Sequence, residues 1–374
     1  GLLWAEPMIE LERDGRRTAF GNVSPAQTTR FDEHELGPVD ELLEGQQRIV
    51  FGTCGTYAPT DLTAYRAHGG FGSGDVDGAT ILEEVTAAGL RGYGGAGFPA
   101  GRKWQTAADT EAEQKYIVAN ADEGDSGTFA DRLIMEGDPY LLLEGMQLAG
   151  RAIGASRGVI YLRSEYPLAA QILTEALDTA RAAGILDEAF DIELFVGAGA
   201  YICGEATSLL ESLEGKRGEI RVKPPPMAVR GLYGQPTVVN PVITLCAVPW
   251  IVRHGGAAYA ELGVGHSTGT MPFQLSGNVK RGGLYELEFG VTLGELVNDW
   301  AGGTRSGRPV KAVQVGGPLG AYLTPEQFDT PMTYETLREI GADVGHGGVV
   351  VFDDTVDMAE QARYAFEFCA EESC

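Results

Sequence analysis

Positive charge is scarce in this chain. Its 374 residues hold 28 Lys and Arg against 53 Asp and Glu, a formal net charge of −25. Nucleic acids and anionic membrane surfaces both select a basic footprint, so neither is expected as a partner. Cysteine is also sparse: five residues, at 54, 203, 246, 369 and 374, odd in number and without paired spacing, argue against a secreted disulfide framework. The five histidines (34, 68, 254, 266, 346) form no recognisable Cys-His motif. No apolar run reaches the roughly 18 residues of a bilayer span, and the opening Gly1-Leu-Leu-Trp-Ala-Glu-Pro7 has no charged n-region. No direct membrane insertion is expected, and a cytoplasmic location is.

What the chain has instead is glycine in concentrated runs. Gly89-Leu-Arg-Gly-Tyr-Gly-Gly-Ala-Gly-Phe-Pro-Ala-Gly-Arg-Lys-Trp104 holds six glycines among sixteen residues. Glycine is favoured where backbone takes φ > 0 or presses close to a ligand, and Arg91, Arg102 and Lys103 add positive charge. The run reads as a phosphate cradle. Gly92-x-Gly94-x-x-Gly97 has the spacing of the dinucleotide fingerprint, which is diagnostic only after a strand and at the start of a helix. Residues 81–89 carry apolar positions at i, i+1 and i+4, which predict a short helix running into the loop. A phosphorylated ligand is therefore expected, bound otherwise than in an ordinary Rossmann turn.

The length suits two or three domains. Residues 1–28 predict a hairpin with no core of its own, 29–47 are polar and linker-like, and 48–55 read as a short buried strand. Strands are predicted at 115–120, 158–163 and 191–196, with helices at 141–152 and 168–183. Strand, long helix and strand make a right-handed βαβ unit and hence a parallel sheet. The strand at 191–196 runs into a second glycine run, 197–204, that opens a helix at 205–213. Open α/β sheets bind ligands at such places, so the two glycine loops are expected to converge on one ligand. From 262 the texture changes to short strands at 271–276, 283–287 and 311–315 with a short helix at 293–300, a small α+β unit. Residues 358–372 have helical spacing, and a chain stopping on Cys374 fits truncation.

Asn120, Asp122, Glu123 and Asp125 follow the strand at 115–120. They read either as a solvated acidic loop or as hydrogen-bonding partners for the hydroxyls and ring nitrogens of a cofactor. Calcium is excluded, because spacing from Asp122 puts Gly124, Ser126 and Leu133 where acids or amides are needed. Cys203 starts a helix, a place that lowers a thiol pKa, yet without a Cys-His motif a structural role is favoured. Lys216, Arg217, Arg221 and Lys223 are either half of a surface ion-pair network or the holder of a second nucleotide's pyrophosphate.

The runs at 89–104, Ala119-Asn-Ala-Asp-Glu-Gly-Asp-Ser-Gly-Thr-Phe129, Gly197-Ala-Gly-Ala-Tyr-Ile-Cys-Gly-Glu205 and Ser212-Leu-Glu-Gly-Lys-Arg-Gly218 together resemble the FMN-binding, NADH-oxidising subunit of respiratory complex I. Relatives of that subunit occur in NAD-linked formate dehydrogenases, NAD-reducing hydrogenases and other soluble electron-transfer complexes. The resemblance covers 48–374 in family order and implies an α/β fold. Its parts are a Rossmann-like FMN domain with a parallel sheet (48–261), a ubiquitin-like (β-grasp) α+β domain (262–335) and the beginning of a helical [4Fe-4S] domain (336–374). Before them stand the terminal hairpin of a thioredoxin-like domain (1–28) and a linker (29–47).

The same resemblance implies FMN contacted by Gly92, Gly94, Gly95, Gly97, Lys103, Asn120, Asp122, Glu123, Tyr201, Gly204, Glu205, Asn240 and Thr244. Glu123 and Glu205 are the implied catalytic groups close to the ring. NAD(H) or NADP(H) is the implied substrate, near Phe98, Asp125 and Lys223, and iron–sulfur subunits of an oxidoreductase complex are the implied partners. Cys374 matches the first ligand of a Cys-x2-Cys-x2-Cys run whose remaining ligands are absent from this chain, so a [4Fe-4S] cluster is expected only if the chain continues beyond Cys374. Leu3 stands where the last [2Fe-2S] cysteine is expected, and no such cluster is predicted.

Departures from the family pattern fall on the nucleotide side. Ala206 stands where a second glutamate usually follows Glu205, Pro226 where an aromatic follows Lys-Pro-Pro, and Asn240-Pro241 where Asn-Asn is usual. Loss of a stacking ring forfeits about 1 kcal/mol of adenine binding. Either Ala206 removes a carboxylate that repels a 2′-phosphate and so admits NADPH, or the nucleotide site is vestigial and FMN relays electrons between iron–sulfur partners. A scaffold without flavin chemistry is disfavoured by Asn120, Asp122, Glu123 and Glu205 all being in place.

Overall fold

A computed structural model of the chain describes residues 1–74 and 76–374. Alternation at the start produces the expected hairpin, β1 (Ile9–Arg13) with β2 (Arg16–Phe20), turned by Asp14 and Gly15 at positive φ. Residues 29–47 are not an extended linker. Glu35–Pro38 forms β3, antiparallel to β2, and Val39–Leu42 makes a helical turn. Phe31 anchors the segment by packing edge-on against Phe20, with ring centroids 4.9 Å apart.

The stretch at 48–55 is not a strand either. Its apolar residues are buried, but the amides of Val50 and Phe51 find a side chain in place of a neighbouring strand. They donate to the buried Glu286 carboxylate at 2.9 and 3.0 Å, while the Arg48 guanidinium folds back onto the Phe51 carbonyl at 2.6 Å.

The parallel sheet forms as the spacing predicts. β4 (Tyr116–Ala121), β5 (Arg157–Leu162), β6 (Asp191–Val196) and β7 (Thr237–Pro241) lie in the order β6-β5-β4-β7, all parallel. Helices Pro139–Ile153 and Pro167–Ala182 make the crossovers, and Val242–His254 leaves the end of β7. From β4 the chain builds outward through β5 and β6, then returns to the other side of β4 as β7. The carboxyl ends of β4 and β7 therefore flank a topological switch point, the crevice where such sheets take ligands.

After a short ribbon, β8 (Gly263–Val264) with β9 (Ser267–Thr268), comes a mixed sheet. Its strands are β10 (Thr270–Gly277), β11 (Gly283–Glu288), β12 (Val310–Val315), β13 (Ala321–Leu323) and β14 (Gly348–Asp353), ordered β11-β10-β14-β12-β13. β14 is central, parallel to β10 and antiparallel to β12. It lies beyond residue 335, where the sequence reading ends this unit. A central strand is covered on both faces, and its run of consecutive apolar residues from Val349 to Phe352 meets that requirement. Helix Met358–Glu372 then closes the chain with no fully buried side chain.

Glu286 on β11 joins the mixed sheet to the segment at 48–55, and also accepts the Thr270 hydroxyl at 2.7 Å. Burial pushes its pKa up, although backbone amides of residues 49–51 and the Thr270 hydroxyl oppose the shift. Glu286→Ala leaves two buried amides without acceptors and lowers unfolding stability by about 3 kcal/mol, measurable by chemical denaturation. A loss below about 0.5 kcal/mol would overturn this account.

Candidate active site

A cavity of about 370 Å³ occupies the crevice at the switch point. Asn120, Asp122 and Glu123 line it from the end of β4, Pro241 from the end of β7, Gly94 from the first glycine loop, and Tyr201, Gly204 and Glu205 from the second. The two loops do converge on one space. The first loop closes on itself through the Gly92 amide to the Phe98 carbonyl at 2.9 Å and the Ala100 amide to the Leu90 carbonyl at 2.8 Å. Helix Gly78–Ala87 leads in and helix Ala100–Asp109 leads out, so the fingerprint has its helix but not its strand. A Cβ on Gly94 would stand 2.8 Å from Pro241 Cγ, and Gly95 takes φ +122°. Both positions require glycine.

The cradle holds less charge than the sequence suggests. Arg91 pairs with Glu335 at 2.7 Å and lies over the Tyr334 ring, and Arg102 is exposed along a separate groove. Of the three cations only Lys103 turns to the strand ends, donating to the Val239 carbonyl at 2.7 Å. Burial, reinforced by Lys223, lowers its pKa to about 8.

Asn120 bolts the site together: its Nδ2 donates to the Gly204 carbonyl at 2.8 Å and its Oδ1 accepts the Asp122 amide at 3.2 Å. Asp122 is buried, and burial, partly offset by Arg163, pushes its carboxyl up to about 8. Asn240 accepts Trp104 Nε1 at 3.0 Å. Asn240 Nδ2 and Asp122 Oδ2 are buried without partners. Such orphaned groups cost about 1–3 kcal/mol each, and a ligand carrying both acceptors and donors relieves them.

Glu123 and Glu205 are held by the protein itself. Glu123 accepts the amides of Asp131 and Arg132, each at 3.0 Å, and the Tyr166 hydroxyl at 3.0 Å. Burial would raise its pKa, but His346 and the two amides outweigh it and hold the carboxyl below its ordinary value. Glu205 caps helix Ala206–Leu213, accepting the amides of Thr207 at 2.7 Å and Ser208 at 3.0 Å, with Lys223 Nζ at 3.4 Å. Burial opposes, and these donors win, so it too is held low. That helix terminus is thereby occupied by a carboxylate rather than open to a phosphate.

The remaining candidates divide. Tyr201 donates its hydroxyl to Asp125 at 2.9 Å, and burial pushes the Asp125 carboxyl up. Thr244 is wholly buried behind the first loop and accepts the Tyr93 amide at 3.0 Å. Gly97, at φ +57°, packs on Tyr334. Phe98 is 47 % exposed at the loop tip, and Cys374 is exposed at the chain end.

Cys203 is buried against Gly218 in a small apolar cluster, as a structural cysteine is. The basic run follows the ion-pair reading. Lys216 and Arg221 meet Glu214 at 2.7 and 2.8 Å, and Arg217 meets Glu219 at 3.9 Å. Sequence reasoning missed Asp131 and His346 in the cavity lining and noted Pro241 only as a departure from the family pattern. The available signal for His346 was a histidine flanked by Gly345 and Gly347.

A cavity at the switch point of a parallel sheet, walled by two glycine loops and an acidic strand end, defines a nucleotide-type cofactor site. Residues 85–250 match the family described as the Nuo51 FMN-binding domain. The chain is 43 % identical over 340 residues to the NADP-reducing hydrogenase subunit HndC of Solidesulfovibrio fructosivorans, covering 88 % of this chain and 69 % of that one. It is 44 % identical over 302 residues to an NADH-quinone oxidoreductase subunit of Escherichia coli (strain K12), covering 79 % and 68 %. Among solved structures it resembles an NAD+-reducing [NiFe]-hydrogenase in the air-oxidised state, with a TM-score of 0.74 and 41 % identity over 83 % of this chain. It spans 52 % of that hydrogenase chain. The chain belongs to the family of NADH-quinone oxidoreductase and hydrogenase subunits that carry the Nuo51 FMN-binding domain.

With its pKa near 8, Asp122 is a neutral acid at pH 7 and resembles an amide in shape and donor capacity. If Asp122 meets FMN as the resemblance implies, Asp122→Asn should keep FMN affinity within about threefold, whereas Asp122→Ala should weaken it about tenfold, the loss of one buried hydrogen bond. Fluorescence titration of flavin-free protein measures both. Equal losses in the two variants would show that the carboxylate form binds.

Proposed function

We propose that this chain is the FMN-binding, NAD(P)H-dehydrogenase (diaphorase-type) subunit of a multisubunit oxidoreductase. It exchanges a hydride between NAD(P)H and FMN and passes single electrons to iron–sulfur partners. The observation that carries this reading is the crevice with the orphaned Asp122 Oδ2 in its lining and the orphaned Asn240 Nδ2 buried beside Pro241 at the end of β7, which fit a heterocycle bearing both acceptors and a donor. Bound FMN supplies chemistry that accepts two electrons together and yields them one at a time.

The chain's residues supply position and field. Lys103, Asn120, Asp122, Tyr201, Gly204 and Asn240 would hold the cofactor, on a wall shaped by Gly92, Gly94, Gly95, Gly97 and Thr244. Glu123 and Glu205 hold negative charge beside it. Phe98, Asp125 and Lys223 would border the nucleotide. Relatives named for NADH and for NADP support a pyridine nucleotide as substrate, and Ala206 favours tolerance of the 2′-phosphate.

The second reading, a flavin relay with a vestigial nucleotide site, is favoured by one observation. Lys216, Arg221 and Lys223 are already paired with carboxylates of this chain.

The domain reading continues in the same sense. The mixed sheet has two hairpins around a final strand parallel to the first, an order that supports a β-grasp unit reaching to about residue 353. Helix Met358–Glu372 and Cys374 would begin the cluster-bearing domain. Among the described residues no helix is long and apolar enough to cross a membrane. A cytoplasmic place in a larger complex, beside iron–sulfur subunits, suits the acidic surface.

Cofactor analysis with anaerobic reduction tests the function. FMN should be present and bleached by NADH, NADPH or both; bound FMN bleached by neither selects the relay, and protein without flavin overturns both readings. Removing a negative charge beside the flavin eases electron uptake, so Glu123→Gln should raise the FMN midpoint potential. An unchanged potential in a redox titration counts against Glu123 lying near the ring.

A further inference from the structure

His346 sits on a turn built for it. Gly345 and Gly347 flank it at φ +61° and +79°. A Cβ on Gly345 would stand 2.5 Å from Gly316 Cα, and one on Gly347 would stand 2.5 Å from the Pro272 carbonyl. Gly345 also bridges Gly95 of the first glycine loop. Gln274, wholly buried on β10, donates its side-chain amide to the His346 carbonyl at 2.7 Å, and its backbone amide goes to the Gly347 carbonyl at 2.8 Å. The ring is thus delivered to the cavity wall in one orientation.

Both ring nitrogens face acceptors. Nδ1 is 2.8 Å from the Tyr93 carbonyl, which only accepts, so Nδ1 carries a proton. Nε2 is 3.3 Å from Glu123 Oε1 and 3.2 Å from Asp131 Oδ2. Neither contact has hydrogen-bond geometry, so Nε2 is a buried nitrogen held at ion-pair distance from two carboxylate oxygens, and a neutral imidazole would leave those two oxygens uncompensated. A second proton makes the ring a cation beside both carboxylates and compensates their charge by proximity.

We infer that His346 is a buried imidazolium, the countercharge that keeps Glu123 and Asp131 ionised together at the flavin cavity, and so a positioning residue that sets the cavity's charge. The inference rests on the FMN reading for its consequence but not for the protonation itself. With both carboxylates ionised the three groups sum to −1; burial pushes the Asp131 carboxyl up, and His346 opposes that shift. Without the imidazolium, the pair either stands at −2 or takes up a proton, and either change alters the field at the cofactor.

Among the described residues no rival cation meets these carboxylates. Arg163 reaches the Glu123 carbonyl and lies over the Tyr166 ring, while the Arg132 side chain turns to Glu136. Tyr166 donates to Glu123, Asp131 accepts the Ile243 amide at 3.2 Å, and Asp125, Asp122 and Cys246 complete the titratable neighbours. Burial would lower the His346 pKa, yet Asp131 and Glu123 outweigh it and hold it well above the ordinary range. The stability this gives is full below about pH 6.5 and is lost as pH rises through the raised value.

Ring-nitrogen NMR tests the protonation on the intact protein, with flavin removed and with FMN bound, using His346→Gln for assignment. Both ring nitrogens should be protonated at pH 7.5 in either form. A neutral tautomer at pH 7, or a zinc titration that strips the Nε2 proton at stoichiometric metal, overturns the inference.

Redox titration tests the consequence. His346→Gln should lower the FMN midpoint potential, and His346→Gln with Asp131→Asn should return it toward the wild-type value because one charge of each sign is then gone. A double variant no closer to wild type than the single one means that the ring acts only by packing. If wild-type protein binds no flavin, the functional reading fails while the ring-nitrogen result still decides the protonation.

Discussion

The amino end of helix Ala130–Gly137 is the constraint on which much of this molecule turns. Four successive amides, from Phe129 to Arg132, lack partners within the helix. Gln274 accepts the first two at 2.5 and 2.8 Å, and Glu123 accepts the next two. One acceptor comes from the mixed sheet and the other from the end of β4. Satisfying a single helix terminus therefore fixes how the two sheets meet, and the cavity lies at that junction. It also explains why a carboxylate is tolerated there: the helix dipole and two amides favour its charged form.

The same economy governs charge elsewhere in the site. A chain at −25 has few cations to spare, and most near the crevice are committed to internal carboxylates. Of the first loop's cations Lys103 alone is directed at the strand ends, and burial has weakened its hold on its proton. On the opposite side Asp122 is kept neutral by burial. The cavity is thus less polarised than its composition implies, with ionised groups confined to positions where backbone amides or a ring already meet them.

Local sequence carried the parallel sheet well, because β4, β5, β6 and the intervening helices are long and strongly periodic. The glycine loops were legible for a similar reason: positive φ and close approach, as at Gly95 and Gly94, admit almost nothing else. What was not legible is tertiary. Nothing in 237–241 says that β7 joins the far side of β4, yet that choice creates the switch point. Residues 48–55 look like a strand because apolar burial and strand pairing leave the same composition, and Glu286 lies far away in sequence. His346 gave no motif, since its partners come from the first glycine loop, a strand end and a helix. Glu123 and Glu205 were singled out only by resemblance, and their capping work became visible only once the helices they cap were placed.

Helix Met358–Glu372 buries no side chain fully, yet Glu372 accepts the Tyr201 amide at 3.0 Å and Phe368 lies edge-on to the Tyr201 ring, 5.0 Å between centroids. Both contacts fall on one residue, so this helix is seated on the body through Tyr201. Tyr201 is also the residue whose hydroxyl Asp125 accepts at the cavity. The cavity wall and helix Met358–Glu372 thus share one residue, and whatever clamps the helix also steadies the wall.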